Sequence, residues 1–333
     1  MSKISILGAG GWGLALALSA VYSGNYVTVW TPFSDEAQTL LRDGEHKRLL
    51  PNIKLPKEIV ITQDISCVSN SDITVIATPS FAVRETAARL KNLNCGIIVS
   101  VAKGIEYDSL LCLSQVILDE LPCADVVVLS GPSHAEEVAR KMETSLVATG
   151  KNRVSAEYVQ KAFLSDKLRV YTNDDMLGVE LGGALKNVIA VAAGFCDGKG
   201  LGDNTRAALI TRGLSEMARL GVAMGANQAT FAGLTGMGDL IVTCTSVHSR
   251  NHRFGELLGR GVSVEDALRT VGTVEGYHAA KTANKLSKKY KVDMPITQLC
   301  YGVMYENISV DDAVSQLMTR PMKSETEFGW IKK

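Results

Sequence analysis

Lys186 is the single charged residue in the string Leu181-Gly182-Gly183-Ala184-Leu185-Lys186-Asn187-Val188-Ile189-Ala190. Positions 182, 183, 186, 187 and 190 recur at helical spacing, so one side of a helix would carry small residues, one ammonium and one amide. Such a side is a flat floor on which a ligand could rest. Hydride transfer to a ketone puts negative charge on the carbonyl oxygen, and a buried ammonium with its pKa drawn towards neutrality could supply the proton. A surface lysine snorkelling from an apolar helix fits the same string. Further on, Gly233-Leu234-Thr235-Gly236-Met237-Gly238-Asp239 sets an acid in a glycine-flexed segment, where Asp239 could hold a substrate hydroxyl or orient Lys186. Ser249-Arg250-Asn251 precedes a helical run, and free backbone N–H groups plus a guanidinium there could clamp a phosphate monoester. Ser249 could equally be only an N-cap. His248 and His252 are four apart but no Glu follows the first, so the metalloprotease pattern fails and no metal site is expected. Gly131-Pro132-Ser133-His134-Ala135 lacks the final glycine of a nucleophile elbow, which leaves a loop after a strand with Ser133 facing a crevice.

These groups act only if the chain brings them together. Gly8-Ala9-Gly10-Gly11-Trp12-Gly13 satisfies G-x-G-x-x-G, follows an expected strand and opens an expected helix. In a dinucleotide-binding turn Gly8 would permit the tight reversal and Gly10 the close approach of a pyrophosphate. Gly13 would let the helix pack on the sheet. The second strand ends Val29-Trp30-Thr31-Pro32-Phe33, with neither the acid that marks NAD nor the arginine that marks NADP, and Asp35 falls a little beyond. Trp30 could stack near an adenine or serve in packing, and the cofactor preference stays open.

Short β-branched runs at 2–7, 26–30, 59–62, 73–77, 97–100, 126–129, 145–149 and 168–172 alternate with helical patterns such as 79–91 and 109–120. That alternation predicts an α/β fold, a Rossmann-like doubly wound parallel sheet covered on both faces. Past about 174 helical patterns dominate, at 177–195, 205–224, 264–270 and 276–290. We therefore expect a dinucleotide-binding domain at 1–175 and a mostly α-helical substrate domain at 176–333, with the ligand between them. The 333 residues carry 35 Lys+Arg against 35 Asp+Glu, so no broad charged surface offers itself to nucleic acid. The uncharged run 4–24 has the look of a secretory signal or short membrane span, but four glycines break it and a second β-like run follows at once. No other segment reads as long and uncharged enough to span a bilayer. Seven scattered cysteines without CxxC spacing read as reduced thiols of a cytoplasmic protein.

Taken together, the strings GAGGWGLALA (8–17), SVAKG (100–104), SGPSHAEEVA (130–139), ELGGALKNVIAVAAG (180–194), DNTRAALITRGL (203–214), GLTGMGDLIVTC (233–244), SRN (249–251) and VEG (274–276) resemble the bacterial NAD(P)-dependent glycerol-3-phosphate dehydrogenase family along nearly the whole chain. The resemblance implies NAD(P)H as cofactor, dihydroxyacetone phosphate and sn-glycerol 3-phosphate as substrates, and a homodimer serving phospholipid synthesis. It implies Lys186 as proton donor and acceptor, with Lys103, Gly131, Ser133, Asp239, Ser249, Arg250 and Asn251 around the substrate. Gly8, Gly10, Gly11, Trp12, Gly13, Lys103, Ala135, Arg250, Val274 and Glu275 would meet the dinucleotide. The chain departs from the family pattern at Gly11, where a serine is common, and at Thr31, where an arginine is common. Two rival readings are a two-domain dehydrogenase for a 3-hydroxyacyl or sugar-acid substrate, and a nicotinamide-sensing module without turnover.

Overall fold

The computed structural model describes residues 1–322 with 324 and 325; the end of the expected second domain, 323 and 326–333, lies outside the described residues. Strands β1 (Lys3–Leu7), β2 (Tyr26–Trp30), β3 (Ile59–Thr62), β4 (Ile73–Ile76), β5 (Ile97–Ser100), β6 (Val126–Ser130), β7 (Thr144–Gly150) and β8 (Leu168–Asn173) form one sheet in the order β3-β2-β1-β4-β5-β6-β7-β8. Interleaved are helices α1 (Gly11–Tyr22), α2 (Ser34–Asp43), α3 (Val83–Ala88), α4 (Leu113–Glu120), α5 (Ala135–Ala139) and α6 (Arg153–Phe163). The runs of Val and Ile are buried on both faces, as in a doubly covered sheet. One face packs Leu14, Leu18, Val138, Val159 and Phe163 from α1, α5 and α6. The opposite face packs Val83, Ala87, Val116 and Ile117 from α3 and α4. The run 4–24 is thus β1, an interior strand of the sheet, and α1, packed on its face.

Two expectations for the sheet part need correction. The sheet is parallel except between β6 and β7, which run antiparallel. The five residues of α5 rise only about 7–8 Å, too little to carry the chain back along a strand of roughly 17 Å, so β7 enters from the end at which β6 leaves. The helix expected from 109 starts at Leu113, because the chain turns at Leu110 with φ of 60°.

After β8 the described residues form only helices: α7 (Met176–Lys199), α8 (Gly202–Ala223), α9 (Gln228–Phe231), α10 (Asp239–Thr245), α11 (Arg250–Gly259), α12 (Val264–Val271), α13 (Glu275–Tyr290), α14 (Pro295–Tyr305) and α15 (Val310–Met318). They wrap α7, whose residues from Gly178 to Cys196 are all buried. Contrary to expectation, α7 is long and apolar enough to cross a membrane by length and composition, yet 89% of its most apolar window is covered by the protein itself. It is a core helix. All seven cysteines are free thiols.

Candidate active site

The buried helix α7 begins at Asp175, whose carboxylate caps it through Gly178 N–H at 2.9 Å. Lys186 points from its middle and is 5% exposed. Its Nζ donates to Asp239 Oδ1 at 2.5 Å and to Thr243 Oγ1 at 2.6 Å. The other oxygen of Asp239 accepts from Lys103 Nζ at 2.7 Å, and Lys103 also donates to the Gly131 carbonyl at 2.8 Å. One carboxylate thus lies between two ammonium groups, with Asp239 itself 1% exposed. Burial pulls the Lys186 pKa down to about 8; Asp239 opposes that shift and the charge of Lys103 adds to it. The surface-lysine reading is thereby excluded.

The position of Asp239 follows from the turn before it. Residues Leu234–Gly238 form a π-helical turn that lies on α7, where a Cβ on Gly182 would stand 2.5 Å from the Thr235 carbonyl. Asp239 then opens α10, and Thr243 sits one turn later. Thr243 is a site residue that sequence reasoning passed over, although its i+4 spacing from Asp239 was legible.

A second wall comes from α11. Ser249 caps it, accepting from His252 N–H at 3.2 Å, so the capping reading holds. Arg250 begins the helix with an exposed side chain. Asn251 is turned inward: its amide donates to Asn187 Oδ1 at 2.9 Å and its carbonyl accepts from Gly276 N–H at 2.8 Å. This ties the Lys186 helix to α13, beside Val274 and Glu275. Helices α7 and α11 meet backbone to backbone through Gly194 with Gly255 and Gly198 with Gly259. A Cβ on Gly255 would fall 2.0 Å from the Val191 carbonyl. His248 and His252 diverge: His252 pairs with Asp197 at 2.8 Å, whereas His248 faces His134 with ring centroids 5.9 Å apart.

The sheet contributes the third wall. Gly131, with φ of 135°, turns the chain after β6, and Ser133 Oγ donates back to the Gly131 carbonyl at 3.0 Å. Buried Ser130 Oγ and His134 Nε2 have no hydrogen-bond partner among the described residues. Burial, and then the charge of Lys186, lower the His134 pKa. Ser130 Oγ lies beside Gly183 of α7, 3.1 Å from where a Cβ there would stand. Ser80, in the turn after β4, donates to Glu275 at 2.7 Å and so joins the sheet to α13.

At the crest of β1, Gly8 adopts φ of 122° and a Cβ there would stand 2.8 Å from the Ala77 carbonyl. A Cβ on Gly13 would fall 2.0 Å from the Gly8 carbonyl, whereas one on Gly10 would meet nothing within 4 Å. Space at Gly10, beside the N-terminus of α1, fits a dinucleotide pyrophosphate. Gly11 lies 3.7 Å from Ala135 by the same measure, and Trp12 packs partly buried on the sheet core. Trp30 takes the packing role instead of adenine stacking: it is 3% exposed, its Nε1 donates to the Gln63 carbonyl at 2.9 Å, and its ring lies with Val68 and Leu90.

A dinucleotide turn on a wound sheet, facing a lysine–carboxylate pair on a helical domain, defines a nicotinamide-dependent oxidoreductase. The comparisons with known proteins agree. The model of the NAD-dependent glycerol-3-phosphate dehydrogenase N-terminus matches residues 3–156 and that of the C-terminus residues 175–315. A glycerol-3-phosphate dehydrogenase (NAD(P)+) of Bacillus subtilis (strain 168) is 50% identical, covering 98% of this chain and 97% of its own. One from Thermoanaerobacter sp. (strain X514) is 49% identical over 97% of this chain and 98% of its own. The crystal structure of glycerol-3-phosphate dehydrogenase from Coxiella burnetii superposes with a TM-score of 0.92 at 38% identity, over 96% of this chain and 99% of that one. The chain belongs to the NAD-dependent glycerol-3-phosphate dehydrogenase family.

Proposed function

We propose that the protein catalyses reversible reduction of dihydroxyacetone phosphate to sn-glycerol 3-phosphate with NAD(P)H, and that Lys186 moves the proton. The observation that carries this reading is the buried Lys186 held on Asp239 and Thr243, with its pKa drawn to about 8. When bound, the nicotinamide supplies hydride to C2 of the ketone or accepts it in the reverse direction. Lys186 Nζ gives its proton to the carbonyl oxygen as charge develops there, and recovers it during oxidation. Asp239 holds that ammonium in place while Lys103 balances the carboxylate. The Arg250 guanidinium and the N-terminal backbone of α11 hold the substrate phosphate, with Ser249 and Asn251 fixing that turn through the cap and the bonds to Asn187 and Gly276, and with Gly131 and Ser133 closing the opposite side. Binding energy from the phosphate is thereby turned into orientation of C2. Gly8 to Gly13, Ala135 and Glu275 line the cofactor groove, while Val274, 1% exposed, packs in the helical core behind it.

Residues 1–175 would form the cofactor domain and 176–333 the catalytic one. A homodimer, a cytoplasmic location and a role in supplying glycerol 3-phosphate for phospholipids complete the proposal. Loss of nicotinamide absorbance on adding dihydroxyacetone phosphate tests the reaction. We expect turnover with the phosphorylated ketone and little with dihydroxyacetone itself; cofactor binding without turnover would overturn it.

A further inference from the structure

We propose that Glu36 selects the cofactor, accepting the adenosine ribose 2′-hydroxyl and rejecting a 2′-phosphate, so that the enzyme prefers NADH to NADPH. The inference rests on the groove assigned above. Gly8 N–H donates to the Trp30 carbonyl at 2.9 Å, which seats the end of β2 against the glycine turn. The chain after that strand, Thr31-Pro32-Phe33, offers neither an acid nor a cation of its own. The structure brings an acid to it from the first turn of α2. Thr31 is fully buried, and its hydroxyl donates to Glu36 Oε2 at 2.5 Å. The same hydroxyl accepts from Phe33 N–H at 3.3 Å, and His46 Nε2 lies 3.2 Å from Glu36 Oε1. The carboxylate is therefore fixed at the tip of β2, where an acidic residue in a dinucleotide fold ordinarily takes the ribose hydroxyls.

The surroundings carry more carboxylates than guanidinium groups. Segment 45–49 closes over this corner, with the Leu49 carbonyl 2.9 Å from where a Cβ on Gly11 would stand. Between it and α2 lies a cavity of about 270 Å³ lined by Asp35, Glu36, Thr39, Leu40, His46 and Arg48. Two carboxylates meet one arginine there, and the Arg48 side chain is exposed. A 2′-phosphate dianion would lie against an anchored carboxylate, and a flexible guanidinium at the rim recovers only part of that repulsion.

The test uses the full-length enzyme with dihydroxyacetone phosphate and compares kcat/KM for NADH and NADPH. The wild type should favour NADH by ~10-fold or more, the effect of one uncompensated like charge at close range. Glu36→Gln should shrink that ratio at least ~10-fold, chiefly through KM for NADPH, and Thr31→Val, which frees the carboxylate, should shrink it less. Arg48→Ala should leave the ratio in favour of NADH. Competition by 5′-AMP against 2′,5′-ADP for the groove reads the same preference without turnover. Equal or better use of NADPH by the wild type, tighter binding of 2′,5′-ADP, or a ratio unmoved in Glu36→Gln would overturn the proposal. Absence of turnover with either cofactor would instead remove the proposed reaction, and the competition would still decide the preference.

Discussion

Two ammonium groups share one buried carboxylate, and the reaction follows from how that charge is divided. Lys186→Ala removes the buried ammonium held at 2.5 Å from Asp239 and should lower kcat at least ~10³-fold. Single-turnover rates near wild type would exclude the role. With its pKa at about 8, Lys186 is protonated below that pH, as reduction requires, and neutral above it, as oxidation requires. Reduction of dihydroxyacetone phosphate should therefore decline as pH rises through about 8, and oxidation of glycerol 3-phosphate should climb through the same range. Profiles that do not move oppositely would exclude the assignment. Arg250→Ala should chiefly raise KM for dihydroxyacetone phosphate, since the proposal puts its guanidinium on the far end of the substrate. Lys186 was legible because one charge in an apolar run is conspicuous. Thr243 was visible only as the residue four past Asp239, since its place on Lys186 depends on the π-helical turn before Asp239. Trp30 was ambiguous for a related reason: an aromatic at a strand end does not announce which face of the sheet it occupies.

At the scale of elements, the glycines joining α7 and α11 hold the start of α11, the proposed phosphate end, to the lysine helix. Gly255→Ala would drive a methyl into the Val191 carbonyl, 2.0 Å away, and backbone on both sides leaves no soft neighbour to yield. We expect a loss of roughly 1–3 kcal/mol or more in denaturant unfolding, the cost of overpacking a close contact, with a higher KM for dihydroxyacetone phosphate. Unchanged stability and KM would mean that the helices part easily. The strands were legible because β-branched runs bounded by turn residues announce themselves, and the observed ends differ by only a residue or so. The reversal between β6 and β7 was not, since nothing in SGPSHAEEVA says that its helix stops after Ala139. The glycine contacts were equally silent: Gly194, Gly198, Gly255 and Gly259 are visible in the sequence, but their pairing needs both helices in space.

Across the whole molecule, Glu180 ties the helical part to the sheet part. From α7 it accepts Ser114 N–H at 2.8 Å and Ser114 O–H at 2.6 Å at the start of α4. Burial raises its pKa to about 7. The folded protein therefore holds this proton between the ordinary value of 4.5 and about 7, whereas the unfolded chain releases it, so the contribution to stability falls as pH rises across that window. Glu180→Gln can keep both contacts, with the Ser114 hydroxyl reversed, and stays neutral. Its Tm relative to wild type should rise between pH 4.5 and about 7, and a constant difference would exclude this account. Glu180→Ala strands a buried N–H and should cost about 1–3 kcal/mol. The two-part architecture was legible from the change of pattern near 174, whereas a carboxylate reaching 66 residues back to cap another helix was not. The close seam between α7 and α11 has one more effect. Lys186 and Arg250 stand on a single stiff frame, which makes the gap between them a ruler. With the phosphate held at Arg250 as proposed, a phosphorylated ketone one carbon longer would anchor correctly at one end and miss the mark at the other, and the enzyme would then discriminate by length as well as by charge.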